Sequence, residues 1–166
     1  MARETIDPSA FQPDIREFLA LLYRHRVRYL VVGGEAVIYY GHARLTGDMD
    51  LFYDRSLDNV TVLHATLRDF WGGNVPEVDR ADELLQEGLI LQFGVPPNRI
   101  DLINRVSGVE FADAWPRRTT ALLEDPAGDI HIYYMALDDL IENKRVAGRP
   151  KDIEDLRFLR RQRDKT

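Results

Sequence analysis

The feature that most constrains this chain is a glycine pair closing an apolar run, with three aspartates downstream in apolar surroundings. Tyr29-Leu30-Val31-Val32 leads into Gly33-Gly34; thirteen residues intervene before Asp48-Met49-Asp50-Leu51, and some fifty residues later comes Ile100-Asp101-Leu102. Successive side chains alternate across a strand, so Asp48 and Asp50 share one face while Met49 and Leu51 point to a core. Two carboxylates side by side repel each other and need a cation. A neighbouring strand that sets Asp101 beside the pair would complete an all-oxygen site suited to Mg²⁺.

The surrounding pattern predicts a mixed α/β chain. Ile15, Phe18, Leu19 and Leu22 recur at helical spacing after Pro13, giving an amphipathic helix over 13–26. A buried strand over 28–32, a sharp turn at Gly33-Gly34, a short helix over 35–41 and the acidic strand over 48–53 follow. Asp58 is placed to cap a helix with Val60, Leu63, Leu67 and Phe70 on one face, ending at Gly72-Gly73. Residues 81–87 read as helical. Strands over 89–93 and 99–104 flank the turn Gly94-Val95-Pro96-Pro97-Asn98, and this hairpin would position Asp101. A second strand pair covers 119–124 and 129–134. A helix from Asp138 to Val146 ends at Gly148, and Pro150 opens a last helix carrying Ile153, Leu156 and Leu159.

Length and charge limit the function classes. The 166 residues fit a single domain, with a core over about 27–135 and C-terminal helices over about 136–162. The absence of cysteine excludes thiolate metal sites and a disulfide framework, and the chain has neither an apolar leader nor a membrane-length run, so a cytoplasmic protein with no membrane partner is expected. A net charge of −6 argues against general electrostatic binding to nucleic acid. The charge is unevenly spread, however, because nine Lys/Arg face four Asp/Glu between Lys144 and Thr166. That segment is either a solvated helical tail or a surface facing phosphates.

The glycine pair and three acids together resemble the signature of the nucleotidyltransferase superfamily related to DNA polymerase beta. Gly33-Gly34-Glu35-Ala36 with Arg44-Leu45-Thr46-Gly47-Asp48-Met49-Asp50 is similar to the subgroup of abortive-infection type toxins and small antibiotic nucleotidyltransferases. Leu140-Ile141-Glu142-Asn143-Lys144 and Arg149-Pro150-Lys151-Asp152-Ile153-Glu154-Asp155 resemble the lysine helix and the acidic helix of those proteins. The resemblance implies an α+β nucleotidyltransferase fold: a small mixed sheet flanked by helices, with a C-terminal helical segment. It also implies a Mg²⁺- or Mn²⁺-dependent enzyme that transfers NMP from an NTP to a hydroxyl acceptor. Asp48, Asp50 and Asp101 would be metal ligands and catalytic acids, with Asp101 receiving the hydroxyl proton. Gly33, Gly34, Arg44, Thr46 and Lys144 would bind the nucleotide. The acceptor is left open among a small molecule, tRNA and protein, and a protein partner or homodimer is compatible with the small size. The alternative is a nucleotide-binding or regulatory component, as in a toxin-antitoxin pair.

Each motif also has a plainer reading. The glycine pair matches neither Gly-x-Gly-x-x-Gly nor the Gly-Lys-Ser/Thr phosphate loop, so its weight comes from the acids downstream. Arg44 and Thr46 could brace a triphosphate or the acidic strand itself. Helix lysines such as Lys144 mostly face solvent, and Arg149, Lys151, Asp152 and Asp155 could form a surface salt-bridge cluster. Asp54 and Asp58 read as caps. His25, His42, His64 and His131 show no metal-ligand spacing, and no serine sits in a nucleophile elbow.

Overall fold

A computed structural model describes residues 4–43, 46 and 48–166. Among them, seven strands form one sheet: β1 (Thr5–Ile6), β2 (Tyr29–Val32), β3 (Asp48–Tyr53), β4 (Ile90–Phe93), β5 (Arg99–Ile103), β6 (Thr119–Leu123) and β7 (Ile130–Tyr134). Their order is β1-β6-β7-β2-β3-β5-β4, with parallel and antiparallel neighbours mixed. The helices are α1 (Pro13–Arg24), α2 (Gly33–Tyr39), α3 (Leu57–Phe70), α4 (Phe111–Ala114), α5 (Leu137–Ala147) and α6 (Pro150–Lys165). This is the mixed α+β architecture expected of a nucleotidyltransferase fold. No helix among the described residues is long and apolar enough to cross a membrane.

Apolar periodicity accounts for most of these elements. Proline opens α1 with its φ preset for a helix, and Ile15, Phe18, Leu19 and Leu22 are buried where α1 packs on α3 and β7. In β3 and β5, Met49, Leu51, Ile100 and Leu102 are buried, as alternation requires. Gly148 ends α5 in the left-handed conformation at φ 63°, and Pro150 starts α6 directly after it.

Some expectations are corrected. Ser56, not Asp58, is the N-cap residue of α3; Asp58 lies in the first turn and pairs with Arg28 at 3.2 Å, while Asp54 pairs with the same guanidinium at 2.8 Å. Residues Ala81–Leu85 form a 3₁₀ helix, tighter than the expected α-helical turns. The two-residue β1 and the short helical stretch beginning at Phe111 were not expected, because neither is long enough to show a period.

Candidate metal centre

The site is built where β3 and β5 run side by side. They pair in parallel with Asp50 opposite Asp101 and Asp48 opposite Arg99, so all four side chains lie on one face of the sheet. Asp48, Asp50 and Asp101 each offer a carboxylate oxygen, and those oxygens lie within 4.8 Å of one another. The β4–β5 hairpin holds Asp101 in place and adds Gln92, opposite Asp101 in register, whose amide approaches the Asp101 carboxylate at 3.5 Å.

Electrostatics mark the cluster as short of positive charge. Burial, followed by the charges of Asp101 and Asp48, pushes the Asp50 carboxyl up to about 7. Burial and then the Asp50 charge likewise push Glu35, in the first turn of α2, up to about 7. Arg99 supplies partial relief: its guanidinium lies 2.5 Å from Asp48 Oδ2 and 3.1 Å from Asp101 Oδ1. The second contact is an ion pair without hydrogen-bond geometry, and the buried Asp101 Oδ1 accepts no hydrogen bond among the described residues. An all-oxygen donor set with a buried lone pair left unused fits a hard divalent cation.

Gly33 is required by the same geometry. It starts α2 at φ 65°, and a Cβ at this position would fall on the Asp50 carboxylate. The glycine pair therefore admits the acid as well as making the strand-to-helix transition. Thr46 braces the start of the strand: its hydroxyl donates to the Asp48 carbonyl at 3.2 Å and accepts from the Asp48 amide at 3.4 Å. Arg44 lies outside the described residues.

Lys144 sits in a different setting from the one expected. Its side chain is only 3 % exposed, enclosed between α5 and α6, with Nζ 3.1 Å from Asp152 and 3.2 Å from Asp155. Asp152 is fully buried, so the expected surface cluster is in fact an interior ion triad. Burial opposes the charge on Asp152, but hydrogen bonds from Arg149 and Lys144 hold its carboxyl below the ordinary range. His42, on the segment leading from α2 toward the acids, approaches Asp155 at 4.0 Å and packs on Phe158. The triad thus ties α6 to that segment.

Sequence reasoning missed Arg99, Gln92 and Glu35 as site residues. Alternation from Asp101 back to position 99 was the signal for Arg99; Gln92 required the hairpin register. A cavity of about 980 Å³ opens farther along the same strands, with Phe52 and Ile103 in its wall. Those two form the row after Asp50 and Asp101 on the same face, roughly 6.6 Å along at 3.3 Å per residue.

A mixed sheet carrying three carboxylates on adjacent strands, beside a helix that starts at a glycine pair, defines a nucleotidyltransferase-type protein. The family model described as "Nucleotidyltransferase of unknown function (DUF6036)" matches residues 13–159, and the chain belongs to that family. No curated protein matches the sequence.

Proposed function

We propose that this protein is a divalent-cation-dependent enzyme that transfers NMP from an NTP to a hydroxyl acceptor and releases pyrophosphate. The convergence of Asp48, Asp50 and Asp101 oxygens within 4.8 Å carries the reading. Those three residues would hold Mg²⁺ or Mn²⁺, which when bound neutralises phosphate charge and activates the acceptor oxygen. In the transfer, the acceptor oxygen bonds to the α-phosphorus, the bond from that phosphorus to the pyrophosphate oxygen breaks, and the hydroxyl proton passes to Asp101. Gly33 keeps the space beside the Asp50 carboxylate free of a side chain, and Thr46 fixes the backbone at Asp48. Lys144 is assigned to holding α5 on α6.

The test needs no acceptor. Thermal denaturation of wild type with each NTP and Mg²⁺ should show stabilisation, because ligand binding to the native state adds about 2.7 kcal/mol at a hundredfold excess over Kd. The Asp48→Ala/Asp50→Ala variant should lose this response. A well-folded wild type that responds to no NTP would sink the proposal. One observation favours a second reading, nucleotide binding without transfer: Arg99 already pairs with two of the three acids. Mg²⁺-dependent stabilisation by an NTP, with no pyrophosphate released across acceptor pools that include RNA, would select that reading.

A further inference from the structure

A second cavity, of about 540 Å³, lies between the end of α1, the start of β2 and the β7 face, and its lining differs from the rest of this acidic protein. Among the described residues, every charged group lining it is an arginine: Arg24, Arg26 and Arg28. Arg28 is spent on Asp54 and Asp58. Arg24 and Arg26 are exposed, and among the described residues neither has a carboxylate within ion-pair reach; His25 between them pairs with Asp69 instead, at 2.6 Å.

The rest of the wall is mostly aromatic. Tyr23 and His131 stack with centroids 4.8 Å apart, and Trp115 meets Tyr133 edge to face at 5.2 Å. Trp115 is itself held between Phe111 and the Arg118 guanidinium, which lies 3.8 Å from its ring centre. These rings therefore pack on one another along the groove wall. Arg26 ends α1 in the left-handed conformation at φ 57°, with the Val27 amide donating back to the Leu22 carbonyl at 3.0 Å, and this helix stop sets Arg26 beside Arg24 at the groove.

We propose that this groove binds a nucleotide unit, a phosphate placed against Arg24 and Arg26 with a planar base against the Tyr23, His131 and Tyr133 rings. Paired cations and aromatic platforms are the two elements by which proteins hold single-stranded nucleic acid, and the volume lies within the range of about 300–1,000 Å³ for small-molecule sites. A free mononucleotide and a nucleotide within an RNA strand present the same chemistry. The site is separate from the carboxylate cluster, and the proposal does not rest on catalysis there.

The experiment uses the full chain in EDTA, which removes any metal-dependent binding at the acids. Anisotropy of a fluorescein-labelled single-stranded RNA is measured against salt for wild type, Arg24→Ala/Arg26→Ala and Asp50→Asn. Wild type and Asp50→Asn should bind alike. The arginine variant should bind about tenfold more weakly, with a log–log salt slope flatter by about 1.4, since each phosphate no longer neutralised removes about 0.7. Competition by AMP would identify the free nucleotide as sufficient; binding of RNA without competition would identify the strand as the ligand. Absence of RNA and AMP binding in wild type, or full affinity in the arginine variant, overturns the proposal. Binding abolished in Asp50→Asn but kept in the arginine variant also overturns it, and leaves the transferase reading standing.

Discussion

Asp50→Asn should stabilise the metal-free protein at pH 8, an unusual outcome for a change at a candidate catalytic residue. Burial, then Asp101 and Asp48, raise the Asp50 carboxyl from 3.8 to about 7. An acid whose folded pKa is raised contributes stability below its unfolded pKa and loses it progressively as pH rises through the folded value. A rise of about three units sets an upper limit of about 4 kcal/mol, at about 1.36 kcal/mol per unit. Asp50 retains some contact with water and shares its charge with two other acids, so a gain of about 1–2 kcal/mol is the working figure. At about 2.1 cal/mol/K per residue this raises Tm by about 3–6 °C. The gain grows between about pH 4 and pH 7, so at pH 5 only about a third has developed. Glu35 titrates in the same window, and removing the Asp50 charge relieves the smaller part of its rise, which adds to the gain. Added Mg²⁺ should stabilise wild type and not the variant, narrowing or reversing the order. Differential scanning calorimetry at pH 5 and pH 8, with EDTA and with Mg²⁺, tests all of this. A variant less stable than wild type at pH 8 in EDTA, or one whose gain is the same at both pH values, would refute the reasoning.

Further changes test other parts of the site. Gly33→Ala drives a Cβ into the Asp50 carboxylate and forces a left-handed φ; urea denaturation should show a loss of about 1–3 kcal/mol, and wild-type stability with an intact Mg²⁺ response would contradict the close approach. Arg99→Gln leaves three clustered acids without their guanidinium, so it should lower Tm in EDTA and enlarge the stabilisation by Mg²⁺; an unchanged Mg²⁺ increment would show that Arg99 does not compete with the cation. Lys144→Ala removes the buried ammonium held between Asp152 and Asp155, leaving Asp152 to Arg149, and should cost about 3–5 kcal/mol by chemical denaturation. A loss under about 1 kcal/mol would return Lys144 to a solvent- or ligand-facing role.

The strands that carry the acids were legible because alternation is a local property: Asp48 and Asp50 bracket the buried Met49, and Asp101 sits between the buried Ile100 and Leu102. The helix faces of α1 and α3 were legible for the same reason, through a period of 3.6 residues. Caps were less so, since Ser56 and Asp58 both suit a helix start and the choice fell to Arg28, a residue distant in sequence that recruits Asp58.

The sequence by itself determined that three carboxylates would lie on strands beside a glycine turn, because residue type and alternation decide which side chains share a face. Tertiary structure decided what surrounds them. The parallel register of β3 on β5 set Asp50 opposite Asp101 and brought Arg99 to Asp48, and no local pattern encodes which strands become neighbours. Helix packing enclosed Lys144 with Asp152 and Asp155, turning apparent surface charges into an interior triad. Folding also gathered Arg24 and Arg26 with rings from Trp115, His131 and Tyr133, giving an acidic chain a locally basic groove that net charge conceals. Charge and hydropathy are properties of residues, whereas a site is a property of distances, and only packing sets those.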